Sequence, residues 1–231
     1  MAGKMKKGNW GIWLILMVCL ALVSRVWATI ITIEVEGVVD GVWTEGDLVL
    51  DGSVTAGSTM SGYGTYDTET PDQEPADYSG LYSLMSISTT IGNYTFSHNP
   101  DSPNPALFKI QSGGDFFYNT ESSNSLFDGL IYLDGLPKNY EDITWDDTYL
   151  RPIDVRGLGD VLPNDDLPTV DTFPGLSVFD WQRSFDVLFR DNSNNYFLIY
   201  GEITSLAVVP EPGTILLLGL GGVILLRRRR S

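Results

Sequence analysis

The run IITIEVEGVV at 30–39 alternates apolar and polar side chains with a period of two. Ile31, Ile33 and Val35 share one face, and Thr32, Glu34 and Glu36 share the other. That period suits a half-buried β-strand, in which successive side chains point to opposite faces. Comparable segments follow at 47–56 (DLVLDGSVTA), 61–67 (SGYGTYD), 81–91 (LYSLMSISTTI) and 93–96 (NYTF), with Gly, Asp, Asn and Pro between them. β-Branched and aromatic residues punctuated by turn formers predict short strands. The clearest pair is SFDVLFR at 184–190 and NYFLIYGEITSLAV at 195–208, which flank Asp191-Asn192-Ser193-Asn194, a polar group suited to a hairpin turn. No stretch of 29–207 holds a helical period. The expected fold is all-β, a single β-sandwich with jelly-roll-like winding. Between 136 and 174 the pattern loosens into a run rich in Asp, Pro and Gly, which is read as long loops at one end of the sandwich.

The two ends follow a different pattern. Residues 1–9 carry Lys4, Lys6 and Lys7 and no acid, an apolar run fills 10–23, and Val26 and Ala28 close the segment. A charged start, a short apolar middle and small residues at the cut make a secretory signal peptide over 1–28, cleaved by signal peptidase after Ala28. At the other end, 213–226 is apolar and is followed by Arg227, Arg228, Arg229 and Arg230. As a helix those 14 residues extend roughly 21 Å at 1.5 Å each, short of a hydrocarbon core of about 30 Å. The sandwich is therefore expected to be flanked by an N-terminal signal helix and a C-terminal transmembrane helix, the latter inserted only transiently. The arginines hold its end in the cytoplasm and leave the body outside the inner membrane. The one cysteine, Cys19, leaves with the signal peptide, so the exported chain has no thiol chemistry.

Charge narrows the partners. The whole chain has a formal charge of −16, but eight of its 14 basic residues lie in the two end segments. Residues 29–209 keep six basic side chains against 29 acidic ones, a formal charge of −23. Such a surface disfavours nucleic acid and anionic lipid.

The succession Val209-Pro210-Glu211-Pro212-Gly213-Thr214, an apolar run and then the four arginines resembles the PEP-CTERM sorting signal of exported bacterial proteins. The resemblance spans 208–230 and divides the chain into a signal peptide at 1–28, an ectodomain at 29–207 and a sorting segment at 208–231. It implies handling by an exosortase, a transpeptidase-like protease of the inner membrane, with Pro210, Glu211, Pro212 and Arg227 to Arg230 as the processing determinants. It also implies final placement at the cell surface or outside the cell, in bacteria that make exopolysaccharide. A softer likeness to the β-rich opening segment of other PEP-CTERM ectodomains rests on Gly62, Tyr63, Tyr66, Asp67, Pro71 and Asp72.

Candidate chemistry in the body is sparse. His98 is the only histidine, no Gly-x-Ser-x-Gly turn accompanies it, and a zinc site of several His or Cys ligands has no residues to build it. No catalytic residue and no cofactor is expected. Carboxylates are abundant, and the loop pairs Asp146-Asp147 and Asp165-Asp166 are candidates for calcium, which takes oxygen ligands from loops. Asp191, Ser193, Asn195 and Glu202 stand at EF-hand spacing, but Tyr196 occupies the position that needs glycine, so that motif is rejected. Trp145, Tyr149 and Trp181 lie beside acid-rich segments and are candidates to stack on sugar rings, or else to fill the core. Three functions compete: a non-catalytic envelope protein associated with exopolysaccharide or biofilm matrix, a glycan-binding module that uses loop aromatics with or without calcium, and a secreted hydrolase built on paired carboxylates.

Overall fold

The computed structural model describes residues 30–75, 79–99, 101–111, 115–123, 125–133, 135–139, 145–158, 162 and 164–209. The strands in chain order are β1 (Ile30–Glu45), β2 (Val49–Leu50), β3 (Thr59–Asp67), β4 (Ser79–Ser83), β5 (Ser86–Ile91), β6 (Tyr94–His98) and β7 (Leu107–Gln111). They continue as β8 (Asp115–Ser123), β9 (Ser125–Asp128), β10 (Leu130–Leu133), β11 (Leu136–Asn139), β12 (Trp145–Leu158), β13 (Gln182–Asp191) and β14 (Tyr196–Val209). Among the described residues there is no α-helix, and a 3₁₀ turn at Leu176–Val178 precedes β13. The all-β expectation holds. The expected signal helix and transmembrane helix fall on 1–28 and 213–226, outside the described residues.

Eleven strands form one antiparallel sheet in the order β4-β7-β8-β12-β13-β14-β1-β3-β5-β6-β9, and β11-β10-β2 form a second, small sheet. The order is mainly one of successive hairpins rather than the Greek keys of a jelly roll. The two layers expected of a sandwich come from the large sheet curling on itself. Across the interior β12 packs on β3, β5, β6 and β9. Phe96 of β6 lies with its ring centroid 5.4 Å from Phe189 of β13 and 6.1 Å from Phe197 of β14. Tyr66 of β3 meets Phe108 of β7 at 5.4 Å, and its hydroxyl donates to the Pro168 carbonyl, so this buried phenol is satisfied. The alternation read in 30–39 is realised: Ile31, Ile33 and Val35 are at most 2% exposed. Each such side chain stabilises by about 1.5–3 kcal/mol on burial.

Two departures from the sequence pattern have local causes. The segment 136–174 is not a set of long loops, because its middle is β12, a 14-residue strand paired on both sides. A register shift between Arg151 and Asp154, with Pro152 inside it, moves the buried set from Leu150 to Ile153 and Val155. That slip in phase hides a period of two. The second departure lies in LYSLMSISTTI, which splits into β4, the first strand of the sheet order, and β5, the ninth. At the break the Leu84 N–H donates to Ala106 O and the Met85 N–H to Thr65 O, each at 2.7 Å, so neighbouring residues serve opposite halves.

Asp51, just after β2, ties this strand to the β5–β6 turn. Its carboxylate accepts from the Ser53 N–H at 2.8 Å and from Asn93 Nδ2 at 3.1 Å. Burial works to raise its pKa, and the hydrogen bonds from Ser53, Asn93 and Tyr94 outweigh that, leaving it near 2 instead of 3.8. The folded value is the lower one, so the stabilisation is present above the unfolded value and is lost as pH falls through about 2. An Asp51→Asn variant is expected to show a lower urea midpoint than wild type at neutral pH. The difference should close between about pH 4 and pH 2 in midpoints measured across that range.

Candidate functional site

The chain enters and leaves its sheet at the same place. β1 and β14 are antiparallel partners, with Thr32 opposite Val209 and Ile33 opposite Val208. β1 begins at Ile30, two residues after Ala28, and β14 ends at Val209, immediately before Pro210. A proline has no N–H to give to the ladder, so the strand stops where Pro210-Glu211-Pro212 starts. The last part of β14 is held on one side only. Its pairing with β13 ends at Glu202 opposite Ser184, while its pairing with β1 continues to Val209. Ala28, Pro210, Glu211, Pro212 and Arg227 to Arg230 lie outside the described residues. The structure brings the segments that lead to them together at one end of one strand pair.

The candidates for chemistry in the body are spread out. His98 sits at the end of β6 opposite Ser125, and burial lowers its pKa. Asp191 closes the β13–β14 turn, its carboxylate accepting from the Ser193 N–H at 2.8 Å, the Asn195 N–H at 2.9 Å and Asn195 Nδ2 at 2.9 Å. Asn194 takes the left-handed conformation, with φ of 61°. This is the expected hairpin turn, and its acid is engaged by the turn's own donors. Asp146 and Asp147 belong to the start of β12 and not to a loop. Asp165 and Asp166 do lie between strands, where the Asp165 carbonyl accepts from the Tyr82 hydroxyl at 3.0 Å. Burial, followed by the charges of Asp72, Asp166 and Asp165, pushes the Tyr82 phenol up to about 12. Among the described residues, no three side chains of His, Cys, Asp and Glu come together as a metal site. Of the aromatics, Trp145 and Tyr149 are on β12, and Trp181 directly precedes β13 with 58% of its surface exposed.

Two polar features, one exposed and one buried, escaped the sequence reading because they are built across strands. The first is a groove of about 390 Å³ over β1, β3 and β5, lined by Glu34, Glu36, Ser61, Tyr63, Ser88 and Thr90. Register sets Glu34 opposite Tyr63 and Tyr63 opposite Ser88, and Glu36 opposite Ser61 and Ser61 opposite Thr90. The second is the carboxylate of Asp154, only 1% exposed. Arg156 binds it through two bonds of 2.9 and 3.0 Å, Gln182 Nε2 donates at 3.1 Å, and Arg151 stands at 3.6 Å. The hydrogen bond to Asp154 raises the Arg156 pKa, partly opposed by burial. Removing the acid leaves these donors facing one another. Asp154→Ala is expected to cost about 2 kcal/mol, read as a lowered urea midpoint, and Asp154→Asn less.

Comparison with known proteins identifies the segment that β14 delivers. Residues 208–230 match the family model described as the PEP-CTERM protein-sorting motif. No curated protein and no solved structure matches the chain.

Proposed function

From a chain that carries the PEP-CTERM protein-sorting motif, and is thus exported and handled by an exosortase-type membrane protein, we infer a non-catalytic envelope protein of the exopolysaccharide or biofilm matrix. The observation that carries this reading is the pairing of Thr32 with Val209. Signal peptidase and exosortase both act at the inner membrane. A body whose two ends leave the same end of one strand pair presents both cutting sites to that membrane at once. The first two residues of the matched segment, Val208 and Val209, belong to the folded sheet, so the protease meets its tripeptide directly against the body. After both cuts, what remains is a sheet with a large acidic surface, suited to staying soluble within a hydrated polymer. Fractionation of cells that have an exosortase tests this reading. The mature chain should be found at the cell surface or in the matrix, and retention of the full-length chain in the inner membrane would count against it.

A second reading, glycan recognition by the body, is favoured by the groove at Glu34, Glu36 and Tyr63. Carboxylates and hydroxyls there stand beside a ring that is 42% exposed. Sugars are held by that combination of hydrogen-bonding groups and an accessible aromatic face.

A further inference from the structure

We propose that the outer face of β12, β13, β14 and β1 is a binding platform for a neutral polysaccharide, with Trp43 and Tyr200 as its stacking rings. This proposal rests on the glycan-binding reading above and gives it a different surface and a ligand class. Register places Tyr149, Leu188, Leu198 and Trp43 in one row across the four adjacent strands. The next row is Arg151, Asp186, Tyr200 and Gly41. The alternate positions on the same strands, including Phe185, Val187, Phe189, Phe197 and Ile199, are fully buried, so these rows form the solvent side of the sheet. Trp43 is 59% exposed and Tyr200 45%, a large aromatic area to leave in water.

The rings are held in place, and one of them lies flat. A Cβ at Gly41 would stand 2.6 Å from the Tyr200 hydroxyl oxygen and 2.8 Å from Cζ, so the ring reclines over the β1 backbone, where only glycine leaves room. Strand side chains ordinarily stand upright from the sheet, and a reclining ring turns its face outward instead. Trp43 is braced by Tyr196 at a centroid distance of 6.2 Å, and the Tyr196 hydroxyl is hydrogen-bonded to Glu45, which raises its pKa. On the far side the Arg151 guanidinium lies 5.4 Å from the Tyr149 ring centroid, and its Nη1 is 3.4 Å from Asp186 Oδ2.

This surface suits a pyranose chain more than a protein. Beside the apolar row stands the Arg151–Asp186 ion pair, whose side chains keep 26% and 17% of their surface exposed, and a second protein covering the rings would have to desolvate that remainder. A sugar presents an apolar C–H face to a ring and hydroxyls at its edge to the charged neighbours. Within a row, side chains on neighbouring strands repeat about every 4.8 Å, close to the length of one sugar residue. The formal charge of −23 over 29–209 would repel an anionic polysaccharide and leaves a neutral one free to approach.

The full chain, kept in a zwitterionic detergent without a sugar head group, can be titrated with neutral hexaoses and followed by tryptophan fluorescence and calorimetry. Suitable probes are β-1,4-, β-1,3- and α-1,4-linked glucose hexaoses, with a hexamer of alginate as the anionic comparison. At least one neutral hexaose should bind in preference to alginate. Trp43→Ala and Tyr200→Ala should each weaken that binding at least tenfold, while Tyr200→Phe, which keeps the ring, and Met85→Ala, at an exposed residue between β4 and β5, stay within about twofold of wild type. Trp43→Gln serves as a second variant with the same expected loss, and melting temperatures report whether each variant is folded. Glycan binding that survives Trp43→Ala and Tyr200→Ala but fails in Tyr63→Ala would overturn the platform and leave the glycan reading standing on the groove. Absence of binding to every neutral hexaose would overturn both. Preference for alginate, or a dimer in light scattering that Trp43→Ala dissolves without any sugar binding, would overturn the platform.

Discussion

Exported from a host that has an exosortase, the wild-type chain is expected to lose its arginine tail, and a Glu211→Ala, Pro212→Ala variant to keep it. The motif match spans 208–230, and β14 runs extended up to Val209. Pro212 biases Glu211 away from helical angles, and Pro210 does the same to Val209, so the sequence favours an extended chain beyond the last ladder residue. A protease accepts an extended segment into its cleft. Glu211 lies near the start of the apolar run, where the positive end of the expected transmembrane helix would favour a carboxylate. Alanine at 211 and 212 would remove both signals and favour helical angles where the prolines oppose them. The expected effect is close to all-or-none in intact-mass spectra of the exported product. A full-length wild-type product under these conditions would reduce the motif to a plain anchor.

Gly201→Ala is expected to destabilise the body by about 3 kcal/mol or more, a fall in melting temperature of roughly 6–12 °C for a domain of this size. Gly201 lies opposite Val39, beside the register shift between Val39 and Gly41, where β1 and β14 bend together. A Cβ there would come 2.1 Å from the Val38 carbonyl oxygen and 2.7 Å from two carbons of the Phe185 ring. The nearest obstacle is backbone within the ladder that closes the two ends of the chain, so no rotamer change relieves it. Phe185 is fully buried and has no empty space to move into. Gly175→Ala is the matched comparison. Its φ is −69°, and the nearest atom to a Cβ would be Ser177 Oγ at 4.0 Å, so it should be neutral or slightly stabilising. Equal melting temperatures for the two variants would show that the close approach at Gly201 does not matter.

Much of the local structure was legible where one face of a strand is buried and the other wet. The segment 30–39 and the Asp191 hairpin are of this kind, because burial alternates residue by residue and the turn needs only nearby side chains. β12 was misread for a local reason, since the bulge between Arg151 and Asp154 reverses the phase of burial halfway along. The row of Tyr149, Leu188, Leu198 and Trp43 was illegible for a different reason. Its members are drawn from three separate segments, and only pairing register sets them side by side.

The β character of the body, the strand alternation, the lack of cysteine after residue 28 and the sorting motif at 208–230 are all written in the residue order. Each of these depends on residue order within a short window, and the motif is a linear signal. Only the tertiary structure decided that β1 lies against β14, that one sheet curls to make both layers, and that Trp43 and Tyr200 share a solvent face with Arg151 and Asp186. These depend on contacts between residues far apart in the chain, as with Thr32 and Val209. Such contacts are selected by the joint burial of side chains such as Phe96, Phe189 and Phe197, and no local pattern encodes which distant strand supplies the partner.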